Sequence, residues 1–277
     1  MPELIEVEAA RQLLEERALG RTIASVYAPD PWFLKRGLTP KAVETALPGL
    51  QLVTARRRGK LLLLDTSSDV TGVTATPGMT GAVDGPVLAL HLGMSGRVLV
   101  DGEAAGDPLL YASNGENPAW HRFGLQFTDG GTLYLRDPRR LGAVELDPDE
   151  ERLGPDAVDL TLRELRTVLS RSRAPLKAVL MDQARIAGLG NLLVDEIVWR
   201  ASLDPARPAD SLDASDQARL HRAIRNTLRV LSRRGGSHTG DLMAARVPGG
   251  HCPRDGAPLE RRTVGGRTTY SCPLHQR

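Results

Sequence analysis

Residues 2–8 read PELIEVE, an imino acid directly after the initiator methionine and then carboxylates at positions 3, 6 and 8. With Met1 removed, Pro2 would carry a free secondary amine beside Glu3, and an amine next to an acid is an arrangement for covalent catalysis. An α-amine has an ordinary pKa of ~8 against ~10.4 for lysine, so more of it is neutral and nucleophilic at physiological pH. The same residues also suit the first turn of a helix, where proline lacks nothing and acids complement the dipole. Residue types alone leave both readings open.

Lysine usage is the second chemical signal. Of 36 basic residues four are lysine, namely Lys35, Lys41, Lys60 and Lys177, and the rest are arginine. Arginine suits phosphate, but it cannot give up its proton, so a lysine kept among arginines is a candidate for proton transfer. Lys60 stands out because Arg56-Arg57-Arg58-Gly59 precede it and an apolar run follows. A charge at a strand end is the plainer alternative.

The two cysteines close the chain in the pattern Cys252-x₂-Asp255, sixteen residues, Cys272-x₂-His275. Cys, His and Asp all bind zinc, so the four make an allowed tetrahedral set, with His251 as an alternative ligand and a metal-free hairpin as the other reading. From Arg246 onward six arginines face Asp255 and Glu260, a basic end suited to nucleic acid.

These groups need a scaffold of 277 residues, 41% hydrophobic and 25% charged, with a net charge of +2. That is the composition of a folded chain of one large or two ordinary domains. No apolar run approaches the ~20 residues of a membrane span, and the acidic start is unlike a secretory signal, so a cytoplasmic location is expected. Helical spacing predicts a helix over 3–19 stopped by Gly20. Short apolar runs at 61–66, 87–92 and 96–100 predict strands, and Asp129-Gly130-Gly131 predicts a hairpin within 123–137. Residues 66–86 and 101–119 read as polar surface loops. After an acidic linker at 147–160, Thr161-x-x-Glu164 fits a capping box, and helices are expected over 175–188, 191–203 and 214–234, followed by two short strands.

The motifs PELIEVE (2–8), RRRGKLLLL (56–64), HLGMSG (91–96), RDPRRLGA (136–143), GLGNLLVDE (188–196) and GGRTTYSCP (265–273) resemble, in order, those of the formamidopyrimidine-DNA glycosylase / endonuclease VIII family. The opening is closer to the formamidopyrimidine branch. The resemblance implies an α+β, two-domain fold. It would comprise an N-terminal β-sandwich with an N-terminal helix (1–150), a helix–two-turn–helix domain (151–240) and a zinc-finger-like β-hairpin (241–277). It implies a bifunctional DNA glycosylase and AP lyase of base-excision repair, a monomer acting on double-stranded DNA, nucleoid-associated in a bacterium. Pro2 would attack C1′ of the damaged nucleotide, with Glu3 as general acid/base and Glu6 assisting. Lys60 would donate a proton during β-elimination, and Arg267 would grip phosphates and serve δ-elimination.

A base inside a duplex must be flipped out and the gap filled. By resemblance Met94, Arg139 and Leu141 are the inserted residues, although the third is usually aromatic in this branch. Arg173, Lys177 and Asn191 would contact DNA, and one structural zinc would sit on Cys252, Asp255, Cys272 and His275, where the family normally has four cysteines. The stretch 237–251 is shorter than in the formamidopyrimidine branch, which argues against 8-oxoguanine as the preferred base. The rival readings are a non-catalytic binder of damaged or abasic DNA and a zinc-finger transcription factor, the latter accounting for the tail alone.

Overall fold

A computed structural model describes residues 2–68, 84–107, 113, 115 and 117–277. The chain forms two compact units: Pro2 with Glu6–Glu150, and Glu3–Ile5 with Glu151–Arg277.

Among its described residues the first unit holds most of helix α1 (Leu4–Arg17), helix α2 (Pro40–Ala46) and nine strands: β1 Ile23–Tyr27, β2 Gln51–Arg58, β3 Leu61–Ser67, β4 Leu88–His91, β5 Arg97–Val100, β6 Glu103–Ala104, β7 His121–Phe127, β8 Thr132–Arg136 and β9 Ala143–Leu146. They form a five-stranded sheet, β1-β7-β8-β5-β6, and a four-stranded sheet, β2-β3-β4-β9, with every neighbouring pair antiparallel. Leu62, Leu64, Leu88 and Leu90 from one sheet and Val98, Phe123, Leu125 and Leu135 from the other share one buried core with Val7, Leu14 and Phe33. Burying a side chain of this size contributes about 1.5–3 kcal/mol, so the core fixes the loops at the sheet ends.

Sequence reading missed five of these elements: β1, β2, β6, β9 and α2. In β2 the run QLVTARRR turns its arginines to acids: Arg56 donates to Asp65 and to Glu150 at 2.7–3.1 Å, and Arg57 Nε to Glu8 at 3.0 Å. The strand can carry Arg56 and Arg57 because its neighbours supply their countercharge. Helix α2 had a legible signal in Thr39-Pro40: the threonine hydroxyl accepts the N–H of Ala42, with proline in the first turn. Strands β1 and β9 alternate too weakly to be seen alone. The loop expected at 66–86 begins later, since Thr66 and Ser67 belong to β3, and residues 69–83 lie outside the described residues. Its described ends are pinned together, with Ser68 N donating to Asp84 Oδ1 at 2.8 Å. Most of the loop expected at 101–119 is described, and it contains β6 and a short turn at Pro118–Trp120.

The second unit contains α3 Leu162–Ser170, α4 Leu176–Met181, α5 Asn191–Ala201, α6 Ala214–Arg234 and the hairpin β10 (Glu260–Val264) with β11 (Arg267–Ser271). The capping box is formed, with Thr161 and Glu164 bonded reciprocally. Asp213 caps α6, and Gly235 ends it at φ 100°. The helix expected over 175–188 is only six residues long. Beyond Asp182 the chain becomes a loop organised by Gln183, whose amide donates to the carbonyls of Met181 and Leu189 and accepts from Gly188 N.

Candidate active site and nucleic-acid interface

The N-terminal residues are anchored individually. Pro2 is buried, and Glu3 is fully buried. Within the second unit the Glu3 carboxylate accepts Leu192 N at 2.8 Å and Leu193 N at 3.1 Å, the first-turn donors of α5. Gly190 makes this approach possible, because a Cβ there would lie 2.3–2.6 Å from the carboxyl atoms of Glu3. Leu4 N donates to Gly188 O at 3.2 Å on the same loop. The positive end of α5 suits a carboxylate.

Gly190 is the N-cap of α5, Asn191 is its first helical residue, and the N–H groups of Leu192 and Leu193 are taken by Glu3. Asn191 Oδ1 is buried without a hydrogen-bond partner. Glu6 lies in the first turn of α1 and is half-buried.

Lys60 sits on the two-residue turn between β2 and β3, where Arg58 pairs with Leu61 and Gly59 has φ 60°. Arg57 braces this turn by donating to Gly59 O at 3.1 Å. Lys60 is half-buried, on a turn held by a buried four-stranded sheet.

Met94, Arg139 and Leu141 lie on two adjoining loops of the first unit. Met94 is half-buried, while Arg139 and Leu141 are exposed. Gly93 (φ 59°) packs so closely on the second loop that a Cβ there would lie 2.4 Å from the Leu141 carbonyl. Arg140, between the two exposed residues, turns away in the left-handed region (φ 55°) and forms a two-pronged pair with Asp30 at 2.6–2.7 Å. Arg140 and, beyond it, Arg122 hold the Asp30 carboxyl below the usual carboxylate range.

In the second unit Arg173 is almost fully exposed, and Arg267 is exposed at the start of β11 after the Gly265-Gly266 turn. Lys177 requires a correction. It has no exposed surface with which to meet DNA. Its ammonium donates to Asp195 Oδ1 at 2.6 Å, Thr269 Oγ1 at 2.8 Å and Thr268 O at 3.2 Å. Asp195 in turn accepts from Arg246 at 2.7 Å. Burial lowers the lysine pKa, and Asp195 opposes that. Lys177 thus ties α4 and α5 to the strand that carries Arg267. The letter K in a basic stretch gave no hint of this, because its partners lie 18 and 92 residues away.

The ligand atoms of Cys252, Asp255, Cys272 and His275 all lie within 4.8 Å of one another. Asp255 Oδ2 is 2.6 Å from His275 Nδ1 and 3.2 Å from Cys272 Sγ. His275 chiefly, with Ala257 N, holds the Asp255 carboxyl well below its usual range, while burial pushes the Cys272 thiol up. Two N–H groups, Trp199 Nε1 at 3.3 Å and Arg254 N at 3.4 Å, point at Cys252 Sγ, as they would at a thiolate ligand. Two sulfurs, an imidazole and a carboxylate crowded this closely fit a metal ion such as zinc. His251 is not in the cluster. Trp199, which sequence reading missed, joins the cluster to α5 and lies in its small apolar core with Leu242 and Ala257.

Comparison with known proteins places both units in one family. The profile of the formamidopyrimidine-DNA glycosylase N-terminal domain matches residues 1–144, and that of its H2TH domain matches residues 153–241. The formamidopyrimidine-DNA glycosylase of Paracoccus denitrificans is 34% identical over the whole of both chains. Lactococcus lactis Fpg bound to DNA containing an N7-benzyl-Fapy-dG superposes with a TM-score of 0.80 at 26% identity, with both chains fully covered. The same protein bound to DNA containing an abasic site gives 0.79 at 26% identity, also over both full chains. The chain belongs to the formamidopyrimidine-DNA glycosylase family.

Proposed function

We propose that Pro2, as the first residue of the processed chain, is the nucleophile of this enzyme. The protein is a DNA glycosylase of base-excision repair with the lyase activity characteristic of its family, and its partner is DNA carrying a damaged base or an abasic site. The Pro2 lone pair forms a bond to C1′ while the bond from C1′ to the base breaks, and the base leaves with a proton. The amine then loses its proton and its lone pair expels O4′, which takes a proton as the C1′–O4′ bond breaks and the sugar ring opens to an iminium; the iminium acidifies C2′, and loss of that proton expels the 3′ phosphate by β-elimination. Glu3 handles the protons at the amine and sugar with Glu6 assisting, and Lys60 protonates during elimination. Arg267 grips phosphates and serves δ-elimination, Arg173 and Asn191 contact the backbone, and Met94, Arg139 and Leu141 fill the gap left by the base.

The observation that carries this reading is the anchoring of Glu3. A fully buried carboxylate held by two backbone donors fixes the residue bonded to Pro2, so the amine is delivered by its covalent neighbour rather than by a floppy terminus. The functional division follows the same lines: catalysis in 1–150, grip in 151–240, and the finger in 241–277. We place one structural zinc on Cys252, Asp255, Cys272 and His275, where it would supply a fixed cross-link and no step of the reaction. The N–H groups of Asp241 and Leu242, held by Glu196 at 3.0 and 2.9 Å, tether the 237–251 stretch. No helix among the described residues is long and apolar enough to cross a membrane, and the relatives named above are bacterial; we assign the enzyme to the cytoplasm, beside the nucleoid.

Borohydride trapping on an oligonucleotide with one abasic site tests the chemistry. Mass spectrometry of the adduct should place the sugar on the amine of Pro2 with Met1 absent. An adduct on a lysine, or none from chain beginning at Pro2, overturns the proposal.

A further inference from the structure

We infer that Asp137 is the positioning residue that makes the three inserted side chains one rigid device. This rests on the glycosylase reading and extends it to the step before chemistry. Asp137 is fully buried, at the end of β8. Oδ1 accepts Arg139 N at 3.0 Å and the hydroxyl of Ser95. Oδ2 accepts Leu141 N and Gly142 N, each at 2.7 Å. Four donors thus converge on two oxygens, and they come from both loops, since Ser95 follows Met94 directly. The backbone of Asp137 is fixed as well: its N–H donates to Trp120 O at 2.8 Å, and its carbonyl accepts Arg122 Nε at 2.9 Å. Asp30 holds Arg140 away from the tip, which leaves Arg139 and Leu141 exposed on either side.

An acceptor-only carboxylate is the group this site needs, because every neighbour is a donor. Asparagine would keep the shape and set an NH₂ against two of those donors, leaving buried N–H groups without acceptors. The two loops would then move independently. Inserting side chains into a base stack depends on their being fixed beforehand, and a displacement of about 1 Å can cost about a hundredfold in rate. Cleavage at a preformed abasic site in single-stranded DNA needs no such wedge, since there is no stack to open.

The experiment compares Asp137→Asn and Ser95→Ala with the parent on two substrates: a duplex with one formamidopyrimidine base, and a single strand with one abasic site. A 2-aminopurine next to the lesion in the duplex reports opening of the stack. Asp137→Asn should slow base release from the duplex by about tenfold or more and remove the 2-aminopurine signal, while nicking and borohydride trapping on the single strand stay within about twofold. Ser95→Ala should shift the same ratio less, and it carries the test if Asp137→Asn does not fold. Equal losses on both substrates, or an unchanged duplex rate, overturn the inference. A parent that fails to trap on the single strand instead overturns the Pro2 chemistry on which it rests.

Discussion

Arg139 and Arg267 stand on exposed turns beside glycines, one in each unit, yet the two turns are held by different physics. The Arg139 loops rest on neutral backbone donors that converge on one buried carboxylate, behind which lies a large sheet core. The Arg267 hairpin rests on charges and on ligand-type side chains: Lys177 and Asp195 below it, and the Cys252–Asp255–Cys272–His275 cluster in the chain around it. Its own apolar support is small, built around Trp199, Leu242, Ala257 and the two cysteines. Hydrogen bonds to backbone keep their worth across salt and metal conditions. Ion pairs without exposure and metal ligands give a stiff structure with few neighbours but fail when one member is lost.

The largest effect should come from breaking that charge cluster. Asp195→Ala leaves the ammonium of Lys177 buried without its carboxylate, and Arg246 loses the same partner. A loss of about 3–5 kcal/mol is expected in urea unfolding of the second unit. Tryptophan emission would follow it through Trp199, whose indole lies beside Cys252. A loss under about 1 kcal/mol would mean that water or a rearranged hairpin replaces the pair, and the contrast between the two turns would be weaker than drawn.

Next in size is metal removal. Elemental analysis should approach one zinc per chain, and a chelator should lower the melting temperature of the second unit and change Trp199 emission. With metal roughly a hundred- to a thousandfold above its Kd, binding contributes about 3–4 kcal/mol. Duplex affinity should fall with the loss of the hairpin, while stack opening by the Arg139 loops, read by 2-aminopurine at saturating protein, should persist. Protein isolated without metal yet fully stable would make the four side chains an ordinary hydrogen-bonded group.

Gly93→Ala probes the other turn. A methyl there meets the Leu141 carbonyl in a left-handed conformation, so roughly 2–3 kcal/mol of strain is expected, together with a duplex-specific loss like that of Asp137→Asn. Equal rates on duplex and single strand would show that the loops tolerate separation.

How much of this was legible in the sequence follows the same divide. The Thr161–Glu164 capping box was legible by spacing, because a local pattern fixes it, whereas Pro2, Glu3 and Lys60 stood out by type and neighbourhood only as candidates, with a plainer structural reading beside each. The cysteine spacing pointed to the hairpin cluster even with two ligand types changed. Lys177 could not be read, since a surface cation and a buried one share a letter, and burial was decided by Asp195 and Thr269 far along the chain. Asp137 lay inside a recognised motif and was passed over for the arginines after it; an aspartate before proline, followed by loop N–H groups, was the available signal. Strand β2 hid behind three arginines, of which Arg56 takes its countercharge from β3 and Glu150 and Arg57 from α1.

The smallest predicted effect separates the two kinds of support by pH. Asp30 pairs with Arg140, whose side chain is half exposed, so solvent screens the pair and its contribution is the smallest of those considered. The folded carboxyl titrates below its unfolded value of ~3.9 because Arg140 and Arg122 favour the charged form. A depressed carboxylate gives stability that is fully present above the unfolded pKa and is lost as pH falls through the folded one. The melting gap between the parent and Asp30→Asn should therefore stay constant from about pH 8 to 5 and close below about pH 4. The metal cluster should fail earlier on the same descent, because cysteine ligands bind only as thiolates and protons displace the ion. Zinc release and melting recorded together across that range should give two separate steps, the finger first and the Asp30 contribution second. A single coincident step would mean that the two turns are not held independently.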